Sequence, residues 1–165
     1  MGVVIEQMKG PYDLHFDNYA WAGSCSAMPE KAGIYCMYSV KVVGNESQLD
    51  KLEYIGKALN LKQRIEKHCR KPELDADGRP TDKSASPSEY LYNHDNPKAK
   101  CFYTYALLDG RSLETCEASM IKQFKPDINT KYTKTLGCHA AARIVVSGKY
   151  AYAPISAGTY DIEED

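Results

Sequence analysis

No apolar run in this chain approaches the ~20 residues needed to span a bilayer. The first residues lack the basic-then-apolar pattern of a secretory signal, and Glu6 stands where an N-myristoylation motif wants Ser or Thr. No membrane association is therefore expected. The six cysteines include no CxxC pair. That spacing speaks against a structural zinc site or a disulfide framework and for reduced thiols in a cytoplasmic protein. Phe and Trp are scarce, at 3 and 1, while Tyr reaches 13, so most rings here can pack, stack or hydrogen-bond. Internal repeats and domain linkers are missing too. A length of 165 residues, 43% hydrophobic and 26% charged, fits a single compact domain over 1–165 with one core.

Bulk charge is also lacking. A net charge of −1 excludes a protein that coats nucleic acid through charge alone. The distribution is more telling, because residues 54–72 and 119–149 each net +5 while the acidic excess lies elsewhere. Segregation of this kind suggests a basic face that meets a polyanion. Solvated helix faces would give a similar pattern.

The alternation of Tyr12, Leu14 and Phe16 predicts a short strand. A stronger strand is expected over 34–43, rich in Tyr and Val, with a turn at Gly44-Asn45. A second over 51–55 would return antiparallel to it across a polar loop. Asn60, with Gln63 three residues on, reads as the N-cap of a helix running to about Arg70, before Pro72. Leu61, Ile65 and Cys69 form its apolar stripe, and Arg64 and His68 share a neighbouring face. Residues 71–98 read as a long insertion loop. A strand over 101–108, a turn at Asp109-Gly110 and a helix over 113–125 capped by Ser112 follow. Segments 144–147 and 149–153 suggest a hairpin, and the acidic tail from Asp161 is expected to fray.

Glu117 is the oddest placement. It falls four residues after Leu113, in or beside the apolar stripe of Leu113, Cys116, Met120, Ile121 and Phe124. A carboxylate there is costly unless paired or metal-bound. A nearby Lys at the edge of the stripe would also account for it.

Taken in order, Gly33-Ile34-Tyr35, Tyr54-Ile55-Gly56, Asn60-Leu61, Arg64, His68, Glu117 with Met120-Ile121, and Pro126 with Asn129 form a constellation. Singly, each has an ordinary structural explanation: strand tyrosines, an exposed helix pair, turn glycines. As an ordered set they resemble the GIY-YIG nuclease family. The segment YIGKALNLKQR is particularly similar to the N-terminal nuclease domain of UvrC. The resemblance covers about residues 29–130 and leaves an N-terminal arm (1–28) and a C-terminal extension (131–165) outside it.

The resemblance implies a compact α/β sandwich with a small, mostly antiparallel central sheet flanked by helices. It also implies a metal-dependent endonuclease acting on DNA, with RNA a remaining option. Glu117 would be the one protein carboxylate on a single Mg²⁺ or Mn²⁺, whose shell water and phosphate complete. Arg64 would bridge phosphate oxygens, and His68 would contact phosphate or relay a proton. Tyr54 or Tyr35 would serve as the base, with Tyr54 favoured because Lys57 lies near it in sequence. Asn129 would tie the helix end to the site or touch phosphate. Lys62, Lys67, Arg70, Lys71, Lys122 and Lys131 would hold nucleic acid. One site cuts one strand, so a double-strand break would need a homodimer or a second encounter. Two other classes compete: a nucleic-acid-binding module without catalysis, and a protein-interaction domain.

Overall fold

The structure is a computed structural model and describes residues 8–21, 28–69, 75–77, 101–126, 128–129 and 141–163. Its elements run β1 (Lys9–His15), β2 (Asn18–Trp21), β3 (Gly33–Val43), β4 (Glu46–Ala58), α1 (Leu61–Cys69), β5 (Cys101–Leu107), α2 (Leu113–Phe124), β6 (Ala142–Ser147) and β7 (Gly158–Ile162). Four strands form a wholly antiparallel sheet in the order β2-β5-β3-β4. A second, three-stranded sheet, β1-β6-β7, joins β1 and β6 in parallel and β6 and β7 antiparallel.

The four-stranded sheet divides the apolar residues by strand alternation, since successive side chains leave opposite faces. Ile34, Cys36 and Tyr38 of β3 and Phe102 and Ala106 of β5 share one core with Leu113, Cys116 and Met120 of α2 and with Leu14, Ile144 and Val146 of the second sheet. Tyr35, Met37, Tyr54, Tyr103 and Tyr105 cluster instead with Leu61 and Ile65 of α1 and with Ile128. The sheet thus separates two cores, and the tyrosines of the GIY and YIG tripeptides belong to the second.

Several sequence expectations need correction. β4 begins at Glu46, not near residue 51, so the predicted polar loop is a two-residue turn with Gly44 at φ 64. A positive φ suits Gly at the first corner of a two-residue hairpin. The polar residues Glu46, Gln48 and Asp50 are tolerated because β4 is an edge strand. The strand also bulges, as Tyr38 pairs with Leu52 while Met37 pairs with Tyr54. Such an inserted residue re-aims the side chains beside it.

The predicted hairpin of 144–147 with 149–153 does not form. β6 pairs with β7, which also takes in Asp161 and Ile162 of the tail expected to fray. Segment 149–153 is spent otherwise: the Tyr150 N–H donates to the Phe16 carbonyl (2.7 Å), and the Tyr38 hydroxyl donates to the Tyr152 carbonyl (2.8 Å). Those bonds occupy main-chain groups a ladder would need. Asp161 receives two bonds from the Arg143 guanidinium, at 2.7 and 3.0 Å, and the Lys122 ammonium donates to the Glu163 carbonyl at 2.6 Å.

Ser112 occupies the N-cap position of α2 but makes no side-chain capping bond. Its hydroxyl donates to the Asp109 carboxylate (2.9 Å), which also receives the Arg111 N–H (3.0 Å). Asp109 therefore organises the turn. At the other end Lys125 adopts the left-handed conformation at φ 47, and its N–H bonds the Ile121 carbonyl before Pro126. Among the described residues no helix is long and apolar enough to cross a membrane.

Candidate active site

α1 is fixed before it presents any functional group. The Leu61 and Lys62 N–H groups donate to the Lys31 and Pro29 carbonyls (2.9 and 3.1 Å), and the Gln63 N–H to the Asn60 side-chain oxygen (3.1 Å). The Arg64 N–H donates to the Asn60 carbonyl (3.1 Å). Leu61, Lys62 and Gln63, three of the N–H groups that a helix start leaves open, thus find acceptors, the Arg64 bond is the first regular turn of the helix, and Asn60 is the predicted cap. Gly33 lets the helix approach: a Cβ there would lie 2.8 Å from Leu61 Cδ1 and 2.4 Å from the Ala106 carbonyl.

On this face Arg64 meets both tyrosines. Its guanidinium hydrogen-bonds the phenols of Tyr35 and Tyr54, whose ring centroids are 5.9 Å apart. The Tyr35 hydroxyl bonds Tyr54 as well. Tyr103, fully buried, backs Tyr35 at 6.3 Å. Burial pushes the Tyr35 phenol well above its usual range, with the Tyr54 oxygen adding to the effect and Arg64 opposing it. Burial also raises Tyr54, followed by the charge of Glu117, while Arg64 and the Tyr35 hydroxyl pull it down. In this state both phenols keep their protons at neutral pH. Burial works against the charge of Arg64, but the two phenols more than offset that and leave the guanidinium more basic than usual.

Glu117 enters from α2 at the free edge of β4. It is buried, with 8% exposure. Its carboxylate accepts the main-chain N–H of Lys57, and the Lys57 ammonium lies 4.0 Å away. Burial raises its pKa above the ordinary carboxylate value, against the opposing pull of Lys57 and Arg64. Lys57 is therefore the partner of Glu117, not the device that tunes Tyr54. The reason is strand parity: Tyr54 and Lys57 are three residues apart in a regular stretch of β4, so their side chains leave opposite faces. The cation on the phenols is Arg64.

Two residues earlier on the same edge, Asn129 makes a pair of bonds to one residue. Its side-chain oxygen accepts the Ile55 N–H (2.7 Å), and its amide donates to the Ile55 carbonyl (2.9 Å). The amide stands in for a neighbouring strand where, among the described residues, β4 has none. Asn129 thus positions the YIG strand, and Asn129 and Glu117 together close successive outward N–H groups of β4. Removing the amide in Asn129→Ala would strand two buried polar groups at about 1–3 kcal/mol each. Urea unfolding should show a loss of ~2–6 kcal/mol on that basis; a change below ~0.5 kcal/mol, the level of ordinary surface substitutions, would deny Asn129 this role.

The site therefore gathers Tyr35, Tyr54, Arg64, Lys57 and Glu117 around the edge of β4, with Asn129 behind it. Lys62 is half-buried and Lys67 exposed on α1, the helix of Arg64, whereas the Lys122 ammonium ties α2 to the β7 end. Arg70, Lys71 and Lys131 lie outside the described residues, as does the predicted 71–98 loop apart from 75–77. For His68 only the helical backbone is described. Tyr103 was not anticipated from the sequence; its alternation with Tyr105 along β5 is the signal that could have placed it on this face.

Among the described residues no group of three or more His, Cys, Asp or Glu forms a metal cage. The buried Glu117 carboxylate, paired with Lys57, could give a divalent cation a single protein ligand, with water and phosphate left to complete the shell.

No family model and no curated protein matches the chain. The chain is similar to two crystal structures of the GIY-YIG N-terminal endonuclease domain of UvrC from Thermotoga maritima, both point mutants bound to the catalytic divalent cation. The first is 24% identical with a TM-score of 0.39, the second 23% identical with a TM-score of 0.38. Each match covers 64% of this chain and 89% of the other.

Proposed function

We propose that this protein is a metal-dependent endonuclease that hydrolyses DNA phosphodiester bonds at the edge of β4. The observation that carries the reading is the convergence of Tyr35, Tyr54, Arg64, Lys57 and Glu117 from four separate elements, β3, β4, α1 and α2, onto one locus. A packing role explains a lone buried tyrosine, but not two phenols on one guanidinium beside a buried carboxylate.

Each residue suits a task in phosphodiester hydrolysis. Arg64, a permanent planar cation, is a good partner for the phosphoryl oxygens as charge develops on them. Tyr54 is the better candidate for the base, because its oxygen sits between Arg64 and the Tyr35 hydroxyl. Those bonds favour the phenolate, whose formation at pH 7 costs ~4 kcal/mol even for an unperturbed phenol. Tyr35 orients Tyr54. Glu117 would hold one divalent cation, Mg²⁺ or Mn²⁺, which when bound would supply positive charge to the phosphate and offset the carboxylate's effect on Tyr54. Lys57 keeps that carboxylate ionised, while Lys62 and Lys67 extend the positive surface along α1. His68 remains a candidate for phosphate contact. The absence of cysteine pairing motifs agrees with a cytoplasmic setting.

The test is nicking of supercoiled plasmid and of branched DNA with Mg²⁺ or Mn²⁺, against a chelator control. Cleavage that needs the metal supports the nuclease. Folded protein that binds DNA in a salt-dependent manner yet cuts nothing favours the binding module. Neither binding nor cutting of DNA or RNA sinks the proposal.

Arg64→Lys gives a sharper check on the site. A lysine ammonium lacks the rigid fork that reaches two phenols and a phosphate together. Single-turnover cleavage should fall by ~10²–10³-fold, the cost of losing one preorganised donor. A fall under tenfold would remove Arg64 from the chemistry.

A further inference from the structure

Five aromatic rings form an unbroken chain on the α2 side of the four-stranded sheet, away from the tyrosines of the proposed chemistry. It starts in the core at Tyr38, whose ring meets Tyr152 edge-on at 6.2 Å. Tyr152 in turn meets Phe102 at 6.0 Å and Tyr150 at 6.1 Å. Tyr19 ends the chain, stacked on Phe102 at 5.1 Å with an interplanar angle of 21° and tilted against Tyr150 at 4.7 Å. The Lys149 ammonium lies 5.7 Å from the Tyr150 ring centroid.

Core packing accounts for Tyr38 and Phe102, but not for Tyr19. That ring is 44% exposed on β2, an edge strand whose register sets it opposite Thr104. Its position is fixed by the rings beneath it, so little side-chain freedom remains to be lost on binding. Charge also constrains the occupant. The Asp17 carboxylate approaches Gly148, next to Lys149, so this corner carries an anion beside its cation. A row of phosphates alone would gain little there. The faces of bases would gain from the rings, with Lys149 left to meet a single phosphate.

We propose that Tyr19, with Tyr150 and Lys149, is a stacking platform for unpaired nucleobases. The inference rests on the nuclease reading and deepens it, because it assigns a substrate that carries a single-stranded segment. Aromatic rings bind successive bases with little regard to sequence, each stacked base being sensitive to alanine substitution.

The experiment measures fluorescence anisotropy of a labelled oligo-dT of ~16 nucleotides, within the span of common single-strand sites. Tyr19→Ala should weaken its binding by ~5–100-fold, while Tyr19→Phe, which keeps the ring, should bind as wild type does. Blunt duplex binding by Tyr19→Ala should not change, since a paired duplex offers no free base to the ring. Lys149→Ala, at an exposed position, gives a second reading that needs no core change: the slope of log affinity against log salt should shrink by ~0.7. Unchanged oligo-dT affinity in folded Tyr19→Ala overturns the proposal, as does an equal loss for duplex, an unchanged salt slope or failure of the wild type to bind oligo-dT. A ring-dependent loss of oligo-dT binding stands whether or not the wild type nicks plasmid, so the platform and the nuclease can fail separately.

Discussion

Glu117→Gln is expected to lower metal-dependent cleavage by ~10³-fold or more, the scale of losing a principal electrostatic group, while the fold becomes no less stable. The two halves have one cause. Burial raises the Glu117 carboxyl pKa, and Lys57 and Arg64 offset that only in part. For a carboxyl raised on folding, the stabilising contribution is full below the unfolded pKa and is lost as pH rises through the folded one. At neutral pH the ionised group therefore opposes folding. Gln keeps an oxygen for the Lys57 N–H and removes the charge, and the Lys57 side chain, 37% exposed, retains water. Activity and stability should thus move in opposite directions, as at sites that hold a costly group for function. Single-turnover nicking and urea unfolding on the same preparations would decide. A variant that cuts within tenfold of wild type, or one that loses cleavage because it unfolds, would reduce Glu117 to half of an ion pair.

The legible parts of this chain are those whose signals are local. Asn60 and Gln63 announce the start of α1, and Gly44-Asn45 announces a hairpin, because caps and turns are decided within four residues. Glu117 was conspicuous for a similar reason, a charge beside an apolar stripe at helical spacing. What could not be read depends on distant partners. The pairing of β6 with β1 and β7 joins residues 9–15, 142–147 and 158–162, and nothing in 149–153 says that its main chain serves Phe16 and Tyr38 instead. Proximity in sequence points to Lys57 as the cation beside Tyr54, whereas strand parity sends Lys57 to Glu117 and leaves Arg64 with the tyrosines. Asn129 shows both sides of this. Its presence was marked by the motif, but its bonds to Ile55 appear only once β4 is known to be an edge.

Gly56→Ala should be the most damaging single methyl among the described glycines. Gly56 lies opposite Tyr35 in the β3–β4 ladder, and a Cβ there would sit 2.2 Å from Tyr35 Cζ and 2.3 Å from its hydroxyl oxygen. The glycine is therefore not serving a turn; it is the gap through which the buried Tyr35 ring reaches Arg64. Two relaxations are open, and both are costly. Tyr35 can rotate away, which drives a fully buried ring into Tyr54 and Tyr103, or β4 can move, which breaks the Asn129 clasp on neighbouring Ile55. Overpacking of this kind costs ~1–3 kcal/mol, or more where backbone must shift. Cleavage should be lost as well, because either relaxation parts the Tyr35 hydroxyl from Tyr54 and Arg64. Tyr35→Phe separates the two effects: it removes the hydroxyl but keeps the ring, so stability should hold better than in Gly56→Ala while cleavage still falls. The double variant Gly56→Ala with Tyr35→Leu should recover part of the lost stability by vacating the ring's path, without recovering cleavage. Full stability in Gly56→Ala alone would mean that Tyr35 does not occupy the position on which this site depends.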